Sequence, residues 1–143
     1  MIHILAGGKK HSGEFGWIIK DFQRRCRKPF DFEFKFFEAE KLNDFLAQWP
    51  FTGNDFVILC DERGENISSP EFAELLEKQF NASKEIYIVI GGAFGVDATV
   101  RERADFVWSF SKLVFPHMIS RMVVSEQIYR AQEISRGGSY HHE

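Results

Sequence analysis

Apolar residues along the chain fall into short unbroken runs, separated by longer stretches in which they recur every three or four positions. The runs over residues 2–6, 32–37, 56–60 and 86–90 have the length of strands. Phe56-Val57-Ile58-Leu59 and Ile86-Tyr87-Ile88-Val89-Ile90 do not alternate with polar residues. A strand can be apolar on both sides only if both sides are covered, as in a parallel sheet layered between helices. Weaker strand patterns follow at 106–110 and 113–115. The intervening stretches read as helices. Residues 16–27 place Trp17, Ile18 and Phe22 on one side and basic residues on the other. Residues 39–49 space Leu42, Phe45, Leu46 and Trp49 at helical intervals. Residues 69–80 open on Ser-Pro-Glu, an N-cap with proline at the first helical position, and carry the stripe Phe72, Leu75, Leu76, Phe80. The longest helix spans 118–135, and Gly137-Gly138 is its expected stop. Strands alternating with helices predict an α/β fold: a mostly parallel sheet with helices on both faces. In such sheets ligands bind beyond the carboxyl ends of the strands. That singles out the segments after Cys60, after Ile90 and around 110–115.

Length and composition narrow the class without changing this picture. The 143 residues suit one domain over 1–143, and no linker or repeat divides them. Pro29, Pro50, Pro70 and Pro116 each fall at an expected element boundary. No apolar stretch approaches the roughly 20 residues of a membrane span. The opening Met1-Ile2-His3-Ile4-Leu5 lacks the basic start and apolar core of a signal peptide. The expectation is a cytoplasmic protein with no membrane partner. Cys26 and Cys60 stand in unrelated contexts and read as two reduced thiols rather than a disulfide framework or a zinc site. The net charge of −3 argues against coating nucleic acid by bulk charge. A local basic segment exists all the same: Arg24, Arg25, Arg27 and Lys28, with Lys20 and Lys9-Lys10 upstream. It is either a solvated helix face or a landing patch for phosphates.

Candidate chemistry lies in three segments. After the strand at 86–90 comes Gly91-Gly92-Ala93-Phe94-Gly95. Glycines allow a tight turn or a close approach of ligand to backbone N–H groups. The spacing is not that of a dinucleotide fingerprint, and no Gly-Lys-Ser/Thr follows to make a phosphate loop. A ligand without a polyphosphate fits better. The second segment, Asp61-Glu62-Arg63-Gly64-Glu65, reads as a turn between strand and helix. The third, Trp108-Ser109-Phe110-Ser111-Lys112-Leu113-Val114-Phe115-Pro116-His117, ends just before the long helix. The positive end of a helix dipole disfavours added positive charge there, so His117 is either a packing or capping residue or a ring placed to accept a proton.

The chain resembles the bacterial ribosomal large-subunit methyltransferase H family, part of the SPOUT superfamily. The resemblance rests on Ile90-Gly91-Gly92-Ala93-Phe94-Gly95, Trp108-Ser109-Phe110-Ser111, Phe115-Pro116-His117, Arg121, Glu126-Gln127-Ile128-Tyr129-Arg130-Ala131 and the terminal Tyr140-His141. It covers essentially the whole length and is strongest from Ile86 onward. It implies a C-terminal deep trefoil knot, a rare exception to the rule against knots. It implies a homodimer that uses S-adenosylmethionine and methylates N3 of a pseudouridine in a hairpin loop of large-subunit ribosomal RNA, acting on assembled ribosomes. Carried over, the cofactor pocket would use Cys60, Gly91, Gly92 and Gly95, with Phe110, Ser111, Lys112, Leu113, Val114 and Phe115 wrapping the ligand. His117, Arg121, Glu126, Arg130, Tyr140 and His141 would fall around the methyl-transfer site, partly from the second subunit. No metal site is implied. Four positions depart from the family's pattern: Ala93 and Met118 stand where proline is usual, His142 where a basic residue is usual, and Cys60 where leucine usually precedes the family's aspartate, here Asp61.

The expected chemistry follows. An imide nitrogen such as N3 becomes nucleophilic when its proton leaves, so His117 or His141 is expected to assist that departure. Arg121 or Arg130 would stabilise charge on the flanking carbonyl oxygens. Glu126 lies four residues before Arg130 on one helix and can hold its guanidinium. Two rivals stand beside this reading. One is a flavodoxin-like flavin- or nucleotide-binding module, using the loop at 6–13 after the first strand. The other is a ribosome-associated factor of the same fold without activity.

Overall fold

The structure is a computed structural model that describes residues 1–50, 52–93 and 95–142. Strands and helices alternate as β1 (Ile2–Gly7), α1 (Gly13–Arg25), β2 (Phe32–Phe37), α2 (Ala39–Ala47), β3 (Asp55–Glu65), α3 (Ser69–Asn81), β4 (Glu85–Ile90), α4 (Ala98–Arg103), β5 (Phe106–Trp108) and α5 (His117–Ser135). The five strands form one sheet in the order β2-β1-β4-β3-β5, and every pairing is parallel. Helices α1, α3 and α5 pack together on one face, and α2 with α4 on the other.

This layering explains the absence of alternation in the central strands. Ile58 of β3 and Ile86 and Ile88 of β4 point to the layer holding Phe72 and Leu76 of α3 and Val124 and Ile128 of α5. Val57, Leu59 and Val89 point the other way, to Leu42 and Leu46 of α2 and Val100 of α4. Successive side chains leave a strand on opposite sides. Both sides here are dry, so every position must be apolar. Burying a side chain of this size contributes roughly 1.5–3 kcal/mol each, as an upper estimate.

The helix ends follow local rules. The Ser68 hydroxyl accepts from the Glu71 N–H at 3.2 Å, and the Glu71 carboxylate accepts from the Ser68 N–H at 3.0 Å. This reciprocal pair makes Ser68 the N-cap of α3, one residue before the expected Ser69. At the far end of α5, Gly137 adopts φ +69° and the Gly138 N–H bonds to the Glu133 carbonyl. The helix stops there as the two glycines predict.

The structure corrects the sequence reading at four places. Helix α1 starts at Gly13, three residues early, and α4 was not foreseen. Helix α4 is six residues long with Val100 as its sole buried residue, too little for a visible stripe. Residues 113–115 form no strand, and β5 ends at Trp108. Finally, 61–65 is not a simple turn. Cys60 and Glu65 both pair with Trp108, so β3 bulges by four residues and then rejoins the sheet edge. The polar sequence hides this extension because Glu62, Arg63 and Glu65 are exposed, and an exposed strand position need not be apolar.

Candidate active site

Beyond the carboxyl ends of β3, β4 and β5 lies a cavity of about 680 Å³, the size of sites that enclose small molecules. One wall is Cys60 to Arg63, the bulge of β3. The floor is Gly91, Gly92, Ala93 and Gly95; Phe94 lies outside the described residues. The opposite wall is Phe110, Ser111, Leu113, Val114 and Phe115, and Pro116, His117 and Ser120 close one side from the start of α5. Leu113 and Val114 are 67% and 78% exposed, so this wall is apolar yet open to solvent. Lys112 does not line the cavity.

Backbone crowding accounts for the glycines of the floor. A Cβ on Gly7, at the end of β1, would stand 2.6 Å from the Gly92 nitrogen. One on Gly91 would meet the Gly95 Cα at 3.1 Å. The chain folds back between Gly92 and Gly95 through an antiparallel bridge, and Gly95 takes φ +69°. The glycines thus let main chain, rather than side chains, form the floor.

Asp61 organises the bulge. Its side chain is 6% exposed. The Arg63 Nε donates to it at 3.0 Å, the Arg63 Nη2 at 2.8 Å and the Arg101 Nε at 3.3 Å. These Arg63 hydrogen bonds lead the effects that hold its carboxyl below the usual carboxylate range. Across the cavity, the Asn66 side-chain amide donates to the Ser109 and Phe110 carbonyls at 3.0 and 2.9 Å, tying the strand exit to the far wall. Cys60 is half-buried, and desolvation pushes its thiol well above the ordinary value, which favours the protonated thiol over the reactive thiolate.

The six residues expected at the reaction centre separate into two groups. His117 is the first residue of α5 and borders the cavity. Arg121, one turn on, is fully buried and turned to β1. Its Nη1 donates to the Lys9 carbonyl at 2.8 Å and its Nη2 to the Gly7 carbonyl at 3.0 Å, while the guanidinium lies 5.1 Å from the Phe36 ring centre. Within one chain, Arg121 therefore anchors α5 to the loop after β1 and does not face the cavity. Space above Gly8 in that loop is taken by His117 and Arg121. This packing disfavours the loop as a flavin phosphate site.

The second group is Glu126, Arg130, Tyr140 and His141. Arg130 Nε donates to Glu126 at 2.6 Å, Arg130 Nη1 donates to His141 Nδ1 at 3.0 Å, and the guanidinium sits 4.8 Å from the Tyr140 ring centre. A guanidinium cannot accept, so His141 Nδ1 is the acceptor and the ring carries its proton on Nε2. The Glu126 hydrogen bond raises the Arg130 value above the ordinary guanidinium. Desolvation raises the Tyr140 phenol. From His117 to Arg130 is thirteen positions along α5, or about 20 Å at 1.5 Å per residue. One chain therefore holds the two groups far apart.

Arg24, Arg25, Arg27 and Lys28 are all exposed, at and just beyond the end of α1. Arg25 lies 5.9 Å from the Tyr129 ring centre, which joins the patch to the second group. Gln132 was not foreseen, yet it fixes this junction: its Nε2 donates to the Arg25 carbonyl at 3.1 Å, and its Oε1 accepts from the Arg27 N–H at 2.6 Å. Nothing in the sequence marks this glutamine; only its burial and partners do. Among the described residues no three His, Cys, Asp or Glu side chains converge as around a metal ion, and no helix is long and apolar enough to cross a membrane.

Comparison with known proteins agrees with this architecture. Residues 1–141 match a family model described as "Predicted SPOUT methyltransferase". A protein of Caldicellulosiruptor bescii named ribosomal RNA large subunit methyltransferase H is 47% identical over 104 residues, 73% of this chain and 64% of its own length. Relatives of the same name from Cereibacter sphaeroides and Carboxydothermus hydrogenoformans are 45% and 44% identical, with 65% and 68% of their lengths covered. The matched part thus spans about two thirds of these relatives. A solved structure of a probable methylase family protein from Haemophilus influenzae superposes with a TM-score of 0.57 over 99% of this chain and 70% of that one. At 14% identity it speaks for the fold alone. The chain belongs to the SPOUT methyltransferases, within the family of the ribosomal RNA large subunit methyltransferase H proteins.

Proposed function

We propose that the chain is one SPOUT-type domain over 1–143 with a C-terminal trefoil knot. In this reading it works as a cytoplasmic homodimer that methylates N3 of a pseudouridine in a hairpin loop of large-subunit ribosomal RNA, on assembled ribosomes, with S-adenosylmethionine. The observation that carries the reading is the cavity at the carboxyl ends of β3, β4 and β5, with a main-chain glycine floor and no phosphate loop. Its residues fit a nucleoside joined to an amino acid. Phe110, Leu113, Val114 and Phe115 offer apolar surface for an adenine, and Gly91 and Gly92 offer peptide groups. Cys60, Gly95 and Ser111 complete the enclosure. When bound, the cofactor supplies an electrophilic methyl group.

The chain's own residues would do the rest. His117, at the cavity edge, is the better proton acceptor of the two histidines. His141 already spends Nδ1 on Arg130, which leaves a proton, not a lone pair, on Nε2. Arg130, held by Glu126 and stacked on Tyr140, offers a fixed positive charge to carbonyl oxygens of the substrate base. Arg121 holds the His117 turn against β1. The separation of His117 from Arg130 supports a site completed by a second copy, each chain supplying one group. The exposed Arg24, Arg25, Arg27 and Lys28, of which Arg25 lies beside Tyr129, are suited to phosphates.

Mass spectrometry of ribosomal RNA from cells with and without the gene tests the reaction: one methylated pseudouridine should vanish with the gene. Calorimetry tests the cofactor. Failure to bind S-adenosylmethionine, with ribosomes absent and present, removes the enzymatic reading and leaves the inactive ribosome-associated factor.

A further inference from the structure

The basic residues of this chain are concentrated. Residues 9–28 hold seven of its 18 lysines and arginines but only Glu14 and Asp21 of its 21 acids. The remainder of the chain is correspondingly acidic, so this segment is where a polyanion is drawn. Within it stands Trp17, 72% exposed on the second turn of α1. It is the most exposed of the chain's three tryptophans: Trp108 is buried and Trp49 half-buried. Lys20 and Arg24, three and seven positions on, fall on the same helix face and are exposed. Lys9 and Lys10, also exposed, precede the helix.

Solvation alone is a poor reason for an indole with nearly three quarters of its surface in water, since that surface gains by being covered. Charge selects the covering group. A like chain would bring a second basic stripe against the first. Nucleic acid would bring phosphates to the cations and a base to the ring. Duplex offers its bases only at groove edges, whereas an unpaired base presents a face that any aromatic ring can stack on. The position also suits the substrate. Helix α1 begins beside the carboxyl end of β1, where His117 fills the space above Gly8, and runs alongside α5 to the Arg25–Tyr129 contact. The helix that carries the stripe therefore runs from one group of the candidate active site to the other.

We propose that Trp17 is a stacking platform for an unpaired base flanking the modified nucleotide, with Lys20 and Arg24 gripping the neighbouring phosphates. This rests on the ribosomal RNA reading above and refines it to a single-stranded segment of the substrate.

Tryptophan fluorescence of the intact protein is titrated with an unpaired oligoribonucleotide and with a blunt RNA duplex of equal length, while sedimentation reports association. Quenching should be strong with the unpaired strand and weak with the duplex. W17A should lose the quenching and bind the unpaired strand roughly tenfold more weakly. W17F should keep most of the affinity, and both variants should bind S-adenosylmethionine as wild type does. Replacing Lys20 and Arg24 together should flatten the salt dependence, which W17A leaves unchanged. Wild-type affinity of W17A for the unpaired strand overturns the stacking role alone. Dissociation of W17A into single chains at unchanged RNA affinity overturns it in favour of a second copy covering the indole. If the wild-type protein binds neither RNA, the stacking role falls, while the ribosomal RNA reading is decided separately by mass spectrometry of RNA from cells with and without the gene.

Discussion

His11 shows how a residue can be deeply placed without joining the chemistry. It lies in the loop after β1, 8% exposed, with its ring edge-on to Phe34 and Phe36 at 4.9 and 5.1 Å. Burial first, and then the charges of Arg121, Lys20 and Lys10, lowers it from an ordinary 6.5 to about 4. Between those values the unfolded chain holds a proton that the folded chain refuses. Stability should therefore be unaffected by this ring above about pH 6.5, fall as the pH drops toward 4, and level off below. The slope it contributes is at most about 1.4 kcal/mol per pH unit, one proton's worth. Urea unfolding of wild type and His11→Phe across this range checks it: the variant should lose that part of the slope. An unchanged slope would show that other groups carry it. Gly64 makes a different point. A Cβ there would overlap the Val107 carbonyl oxygen, so the β3 bulge can cross β5 only with glycine at that step.

At the scale of elements, α5 is the axis of the molecule. It lies between α1 and α3, ties to β1 through Arg121, and ties to the end of α1 through Gln132. Gln132 is 4% exposed and bonds to two backbone groups beyond the reach of α1's own helical ladder. Gln132→Ala leaves the Arg27 N–H and the Arg25 carbonyl without these partners. The expected cost is about 1–3 kcal/mol of unfolding free energy. Because the backbone carrying Arg25 and Arg27 would no longer be fixed at the end of α1, affinity for RNA should fall while affinity for S-adenosylmethionine stays. Denaturant melts and two binding titrations separate these effects, and equal loss of both ligands would mark general unfolding instead.

At the scale of the whole molecule, the roughly 20 Å between His117 and Arg130 decides how many chains make a site. If a second copy completes each centre, His117→Ala and Arg130→Ala should each abolish most methyl transfer, for opposite reasons. Mixed and reassociated, they should recover up to about a quarter of wild-type activity, because half of the dimers are hybrids with one intact site of two. No recovery, with hybrids demonstrated, would mean that both residues serve the same chain's site or that one is merely structural.

Most of the fold is legible in the sequence. Two uninterrupted apolar runs, 56–59 and 86–90, demanded a sheet covered on both faces, and local signals near Ser69-Pro70 and Gly137-Gly138 marked helix ends. The same logic pointed to the segments after Cys60 and Ile90 and before His117 as ligand loops, and these line the cavity. Such features are readable because hydrophobic periodicity and capping are short-range properties. What stayed hidden depends on contacts between residues far apart in sequence. The bulge of β3 is polar and is held by β5, some forty residues later. Arg121 reads as a free catalytic cation until the Gly7 and Lys9 carbonyls are seen to take its donors. His117 and Arg130 look neighbourly within one motif, yet a rigid helix keeps them about 20 Å apart, because each residue of an α-helix adds rise whatever chemistry it carries.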